Sequence, residues 1–186
     1  MKKVKEFILK DVSETRKWGA EFAKTLHAPC VVALHGDLGM GKSEIARAII
    51  QTLCGADTVV PSPTFTLVQS YDVSFRGAAL AANPESGGVA ESKNDFANAD
   101  FGNSRPHPIP GSFAAQMPRD DTRISHFDLY RITDASELEE IGLNHACAND
   151  ITLIEWPEIA ADFLPANTIH IYLEELEGGR KLKMTQ

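Results

Sequence analysis

The chain has 186 residues, 43% hydrophobic and 24% charged, which suits one soluble globular domain large enough to bury a real core. Its formal net charge of −8 argues against direct, sequence-independent binding of nucleic acid, which needs a basic surface. No apolar run approaches the ~20 residues that cross a bilayer.

The opening MKKVKEFILKDVSETRKWG is basic, but charges interrupt it at once and no cleavage-site pattern follows. It reads as a strand over Val4–Leu9 entering a helix, with Ser13 a candidate cap, Trp18, Phe22 and Leu26 on one face, and Pro29 as its end. The run CVVALHG is continuous and apolar, as expected of a buried parallel strand. It feeds Gly36-x-x-x-x-Gly41-Lys42-Ser43, after which Ile45, Ile49 and Leu53 recur at helical spacing. Cys30, Cys54 and Cys147 form an odd set without CxxC spacing, so free thiols in a reducing, cytoplasmic compartment are expected.

Beyond Gly55, VVPSPTFTLVQSY carries two prolines and then alternates Phe65 and Leu67 into an extended segment. Residues 124–130, ISHFDLY, read as a strand, and DASELEEIGL as a short helix capped by Ser136 and stopped by Gly142. Residues 151–156, ITLIEW, form the next buried strand, followed by a short helix with Pro157 in its first turn. TIHIYLEEL and RKLKMT alternate strictly about Glu177-Gly178-Gly179, the pattern of a closing hairpin. From about 73 to 122 the chain is rich in Gly, Ala, Asn, Pro and Ser without a period. This stretch reads as a low-complexity, flexible insertion in a single domain spanning 1–186, with Phe75, Phe96, Phe101 and Phe113 as anchors if it folds as a lid. The expected fold is α/β and P-loop NTPase-like, a mostly parallel central sheet flanked by helices, with a C-terminal antiparallel hairpin.

The glycine loop carries the chemistry. Its glycines let successive backbone N–H groups of Asp37, Leu38, Gly39, Met40 and Gly41 turn inward as an anion nest, at the positive end of the helix that begins near Lys42. Lys42 supplies charge to the β- and γ-phosphates, and the Ser43 hydroxyl is placed for Mg²⁺. A carboxylate at the end of a neighbouring strand should complete the metal site, and Asp128 and Glu155 both qualify. Thr64 in SPTFT fits a switch that senses the γ-phosphate. Arg131 and Arg180 are candidate phosphate or base contacts, His126 reads as structural, and Trp156 as core or as a partner-facing aromatic.

In this order, LHGDLGMGKSE, SPTFTLV, HFDLYRI, ELEEIGL and LIEWPE resemble the TsaE (YjeE) family of small bacterial ATPases in tRNA threonylcarbamoyladenosine biosynthesis. The resemblance covers nearly the whole chain except the insertion. It implies ATP with Mg²⁺, hydrolysis that is weak alone and partner-stimulated, and action on a complex of TsaB and TsaD. There TsaD transfers the threonylcarbamoyl group to adenosine 37 of tRNA, so tRNA is met only indirectly and no other metal or membrane is expected. Carried over by motif, Lys42 contacts phosphates, Ser43 and Glu155 serve Mg²⁺, Asp128 organises hydrolysis, and Trp156 and Thr64 couple to the partner. Thr15 and Arg180 match family positions near the nucleotide.

Three departures stand out: Ser43 where threonine is usual, Met40 where the loop residue is small, and the insertion. A small-molecule kinase with the insertion as lid would use Arg76, Arg105 and Arg119. A GTP switch lacks its Asn-Lys-x-Asp motif, which ANDIT does not supply. A non-hydrolytic, ATP-dependent assembly clamp is the remaining alternative.

Overall fold

A computed structural model describes residues 4–73 and 122–186. The insertion, with Phe75, Phe96, Phe101, Phe113, Arg76, Arg105 and Arg119, lies outside the described residues except for Val73 and Thr122 at its ends. The elements in chain order are β1 (Val4–Leu9), α1 (Val12–Ala23), β2 (Cys30–His35), α2 (Lys42–Cys54), β3 (Val68–Asp72), β4 (Arg123–Asp128), α3 (Glu137–Glu140), α4 (Leu143–Asn149), β5 (Ile151–Glu155), a 3-10 helix (Pro157–Phe163), β6 (Ile169–Leu176) and β7 (Gly179–Thr185).

Among the described residues the strands form one seven-stranded sheet in the order β1-β7-β6-β2-β5-β4-β3. β6, β2, β5 and β4 run parallel, β6 and β7 make the antiparallel hairpin, and β1 and β3 close the two edges in antiparallel pairing. Alternation along the strands divides the core. Val32, Leu34, Ile124, Ile151, Leu153 and Ile171 pack under α1 and α2. Val31, Phe127 and Ile154, offset by one residue, pack with Leu138, Leu143 and Ala160 on the other face. Among the described residues, no helix is long and apolar enough to cross a membrane.

Local chemistry differs from expectation at several ends. Asp11, not Ser13, caps α1, its Oδ1 accepting the Glu14 amide at 2.8 Å, because the chain is still extended at Asp11. α1 ends at Ala23, well before Pro29, and Leu26 joins the core from the following turn. Ser136 occupies the cap position of α3 without a side-chain cap bond. The Asp134 carboxylate accepts the Ser136 amide at 2.9 Å, a turn that precedes the helix. Gly142 does end α3, with φ 77, but the chain re-enters a helix at once, so α4 is an element that the pattern did not disclose.

Residues 63–67 form a turn instead of an extended run. Pro63 O accepts the amides of Thr66 and Leu67 at 3.1 and 2.7 Å, and Leu67, at φ 64, redirects the chain into β3. At the far end of β3 the Val73 amide donates to Thr122 O at 2.9 Å, so the hairpin pairing of β3 with β4 continues to the two ends of the insertion.

Candidate active site

The loop between β2 and α2 lies at the carboxyl edge of the four parallel strands, where neighbouring strands deliver their last residues. Register places Asp128 opposite Glu155 and Glu155 opposite Leu34, two residues before the loop's first glycine. Both acids are thereby brought beside the loop, and both are buried, at 4% and 2% exposure.

The loop conformation depends on absent side chains. Gly36 and Gly41 have φ of 130 and 100, and a Cβ on Gly36 would stand 2.5 Å from Leu173 O. At Gly41 a Cβ would stand 2.6 Å from Nη1 of Arg180 and 3.7 Å from the Thr15 methyl. Arg180, on β7, and Thr15, on α1, therefore converge on this glycine from opposite elements. Thr15 is fully buried and its hydroxyl donates to Asp11 O at 2.9 Å, so it presents its methyl to the loop.

Lys42 opens α2 at 4% exposure, and its Nζ donates to Gly36 O and Asp37 O at 2.5 and 2.9 Å. The same ammonium lies 3.6 Å from the centroid of Trp156, a cation–π contact. Trp156 reaches it because the backbone turns left-handed there, at φ 57, immediately after β5; the ring also packs on Tyr130 at 4.9 Å. Burial lowers the pKa of Lys42, while Glu155, Asp128, Glu158 and Asp37 oppose that shift.

Ser43 Oγ donates to Glu155 Oε2 at 2.8 Å, and His126 Nε2 meets Glu155 Oε1 at 2.9 Å. Asp128 is held separately. Its Oδ2 accepts the Thr64 hydroxyl at 2.7 Å and its Oδ1 the Tyr130 amide at 3.0 Å, while Ser62 Oγ joins Thr64 Oγ1 at 2.7 Å. Two carboxylates thus have distinct partners, the loop serine for one and the candidate switch for the other.

Met40 finds its room by packing against the α1–α2 side of the core. It also lines, with Asp37, Tyr172 and Glu174, a cleft of about 300 Å³ beside the loop. The acids of that cleft repel phosphate, so the loop amides and the start of α2 are the favourable place for an anion. Leu38 stands 80% exposed at the loop tip, and Phe65 82% exposed in the 63–67 turn. Arg131 stacks its guanidinium on Phe65, 4.7 Å from the centroid. Asp150 of the ANDIT stretch accepts Ser125 Oγ at 2.7 Å and Arg123 Nε at 3.2 Å near the start of β5, at the opposite edge of the sheet from the loop.

His126 lies buried beside Glu155. An alternating strand position looks like core, and only the register of β4 against β5 reveals its carboxylate partner.

A glycine loop joining a central parallel strand to a helix, with acids at the ends of two neighbouring parallel strands, defines an α/β protein of the P-loop NTPase-like class. The family model "Threonylcarbamoyl adenosine biosynthesis protein TsaE" matches residues 9–80 and 112–182, and the chain belongs to that family. The unmatched 81–111 falls within the stretch between β3 and β4. The tRNA threonylcarbamoyladenosine biosynthesis protein TsaE of Rickettsia bellii is 31% identical over 175 residues, covering 94% of this chain and 90% of the relative. The protein of the same name from Haemophilus influenzae is 27% identical over 190 residues, covering 99% and 90%. The crystal structure of Bacillus subtilus YdiB shares the fold, with a TM-score of 0.60 at 18% identity over 100% of this chain and 86% of that one.

Proposed function

We propose that the protein is the ATP-binding and ATP-hydrolysing subunit required for forming N6-threonylcarbamoyladenosine at position 37 of tRNA. It acts on a TsaB–TsaD complex to permit turnover and is not itself the threonylcarbamoyl transferase. The observation that carries this reading is the Ser43–Glu155 contact of 2.8 Å at the mouth of the glycine loop, with the Thr64–Asp128 pair on the adjacent strand.

The residues fit Mg-ATP. Among the described residues no group of three or more His, Cys, Asp or Glu could hold a metal alone. Mg²⁺ at nucleotide sites takes one or two protein oxygens and completes its octahedron with phosphate and water. Ser43 Oγ and the Glu155 carboxylate are hard oxygen donors of that kind, so they would hold the ion. Once bound, it supplies positive charge to the phosphate oxygens.

The chain's own groups do the rest. Loop amides and Lys42 hold and neutralise the phosphates, and their field is preorganised because the loop carbonyls and Trp156 fix the ammonium. Asp128, oriented by the Thr64 hydroxyl and the Tyr130 amide, orients the attacking water through its remaining lone pairs. Thr64 ties that carboxylate to the 62–67 segment, so a partner that moves the segment alters the geometry of Asp128. On this reading hydrolysis is slow alone and stimulated in the complex. The acidic net charge of −8 suits a subunit that leaves tRNA to its partners.

The test is Asp128→Ala or Glu155→Ala in full-length protein, with TsaB, TsaD and tRNA. Asp128→Ala should retain ATP binding and lose hydrolysis by about 10²-fold or more, and modification should stop after the first turnover. If nucleotide binds, hydrolysis stops and multiple-turnover modification continues unchanged, the proposal is wrong.

A further inference from the structure

His126 is buried at 1% exposure on β4, paired in register with Leu153 on one side and Gln69 on the other. Parallel-paired residues share a sheet face, so the imidazole stands in the apolar layer of Ile124, Ile151 and Leu153 beneath α1 and α2. A polar ring there costs stability unless it is hydrogen-bonded. Its bond is to Glu155 Oε1 at 2.9 Å, and among the described residues Nδ1 has no partner. A leucine would fill the position without burying an unpartnered nitrogen, so packing alone does not account for the residue.

The geometry accounts for it. A carboxylate only accepts hydrogen bonds, so Nε2 carries the hydrogen toward Oε1. The other oxygen, Oε2, takes the Ser43 hydroxyl at 2.8 Å. Glu155 is thus pinned between a histidine beneath and the loop serine above. We propose that His126 is a positioning residue for Glu155. Its Nε2–H fixes the carboxylate so that Oε2 stays aimed at Ser43 Oγ, and this sets how tightly the site takes a divalent cation together with nucleotide. The inference rests on the nucleotide reading above. It adds a residue whose effect is on cation affinity and not on phosphate binding, because Lys42 and the loop amides do not touch the imidazole's partner bond.

The experiment measures ADP binding by calorimetry to the full-length chain, in EDTA and across a Mg²⁺ titration. Hydrogen bonds to metal-ligating groups commonly contribute 10- to 100-fold in metal affinity. His126→Leu should therefore raise the Mg²⁺ concentration at half-maximal ADP binding by about tenfold or more, leaving ADP affinity in EDTA within about twofold. His126→Gln carries an amide N–H at the reach of Nε2 and should restore the wild-type midpoint. His126→Asn carries its donor only as far as Nδ1 and should not. The Gln–Asn pair decides the matter even if the leucine variant fails to fold. A wild-type Mg²⁺ midpoint in His126→Leu or His126→Asn, or a folded His126→Gln as impaired as His126→Asn, would overturn the positioning role alone. Wild-type protein that binds no ADP under any condition would overturn the nucleotide reading and this inference with it.

Discussion

Gly19 lies in the middle of α1, where an added Cβ would stand 2.9 Å from the Ala48 Cβ and 3.3 Å from the Ile45 carbonyl oxygen of α2. Helix propensity alone predicts that Gly19→Ala stabilises the protein by about 1 kcal/mol. Packing predicts the opposite sign. Carbon atoms in contact prefer ~3.5–4.0 Å, and both obstacles are fixed to the α2 backbone and cannot rotate away. Overpacking of this kind costs about 1–3 kcal/mol, and the two short contacts place it in the upper half of that range. The net expectation is a loss of about 1–2 kcal/mol, or a Tm lower by roughly 2–8 °C for a chain of this size. The functional effect follows from the same displacement. α1 carries Thr15, whose methyl lies against Gly41, so prying α1 from α2 loosens the wall of the glycine loop. Urea unfolding of the single variant and of Gly19→Ala with Ala48→Gly separates the contributions. The double variant exchanges one methyl for another at nearly constant propensity and should return to within about 1 kcal/mol of wild type. A Gly19→Ala protein more stable than wild type would refute the claim that helix contact sets this position.

Burial pushes the thiols of Cys30, Cys54 and Cys147 up to about 11, so at about pH 8 only about one in a thousand is thiolate, against about a quarter for a free thiol. Iodoacetamide should label the folded protein slowly and the urea-unfolded protein fast, and equal rates would contradict the burial. His35 is linked to pH in a definite direction. Desolvation lowers its pKa, against the opposing hydrogen bond and charge of Glu158, so on acidification the unfolded chain takes the proton first. Stability from this group is full above about 6.5 and declines as pH falls toward the lower folded value. His35→Gln should therefore flatten the fall in Tm between about pH 7 and pH 5, and parallel curves for the two proteins would dispose of this linkage.

The parts of the site legible in the sequence are those that rest on local pattern. The glycine loop, the apolar strand before it and the helix after it form one contiguous signal, and an acid closing an apolar strand marks Asp128 and Glu155 in the same way. The cap of α1 is not legible because Asp11 and Ser13 are chemically interchangeable until the backbone angles are known, whereas Ser136 does stand at the cap position of α3. α4 escaped because seven residues carry too little periodicity to stand out after a glycine. The turn at 63–67 escaped because Leu67 adopts a positive φ that no side-chain alternation announces. Contacts that depend on strand order were beyond reach of spacing. Arg180 meets Gly41 because β7 lies beside β6, and His126 meets Glu155 because β4 and β5 pair in one register and not in another.

The hydrogen bond from the Val73 amide to Thr122 O has a consequence for the connection between β3 and β4. It extends the β3–β4 ladder past Asp72 and Arg123, so the sheet holds Val73 and Thr122 side by side. The entropy of closing a flexible connection grows only with the logarithm of its length, by about 0.6 kcal/mol for each doubling. Chain can therefore be lengthened or replaced at this edge with little effect on the strand that ends in Asp128. Such a change enters at the end of the ladder opposite Asp128, while the glycine loop, on the far side of β5, keeps its geometry.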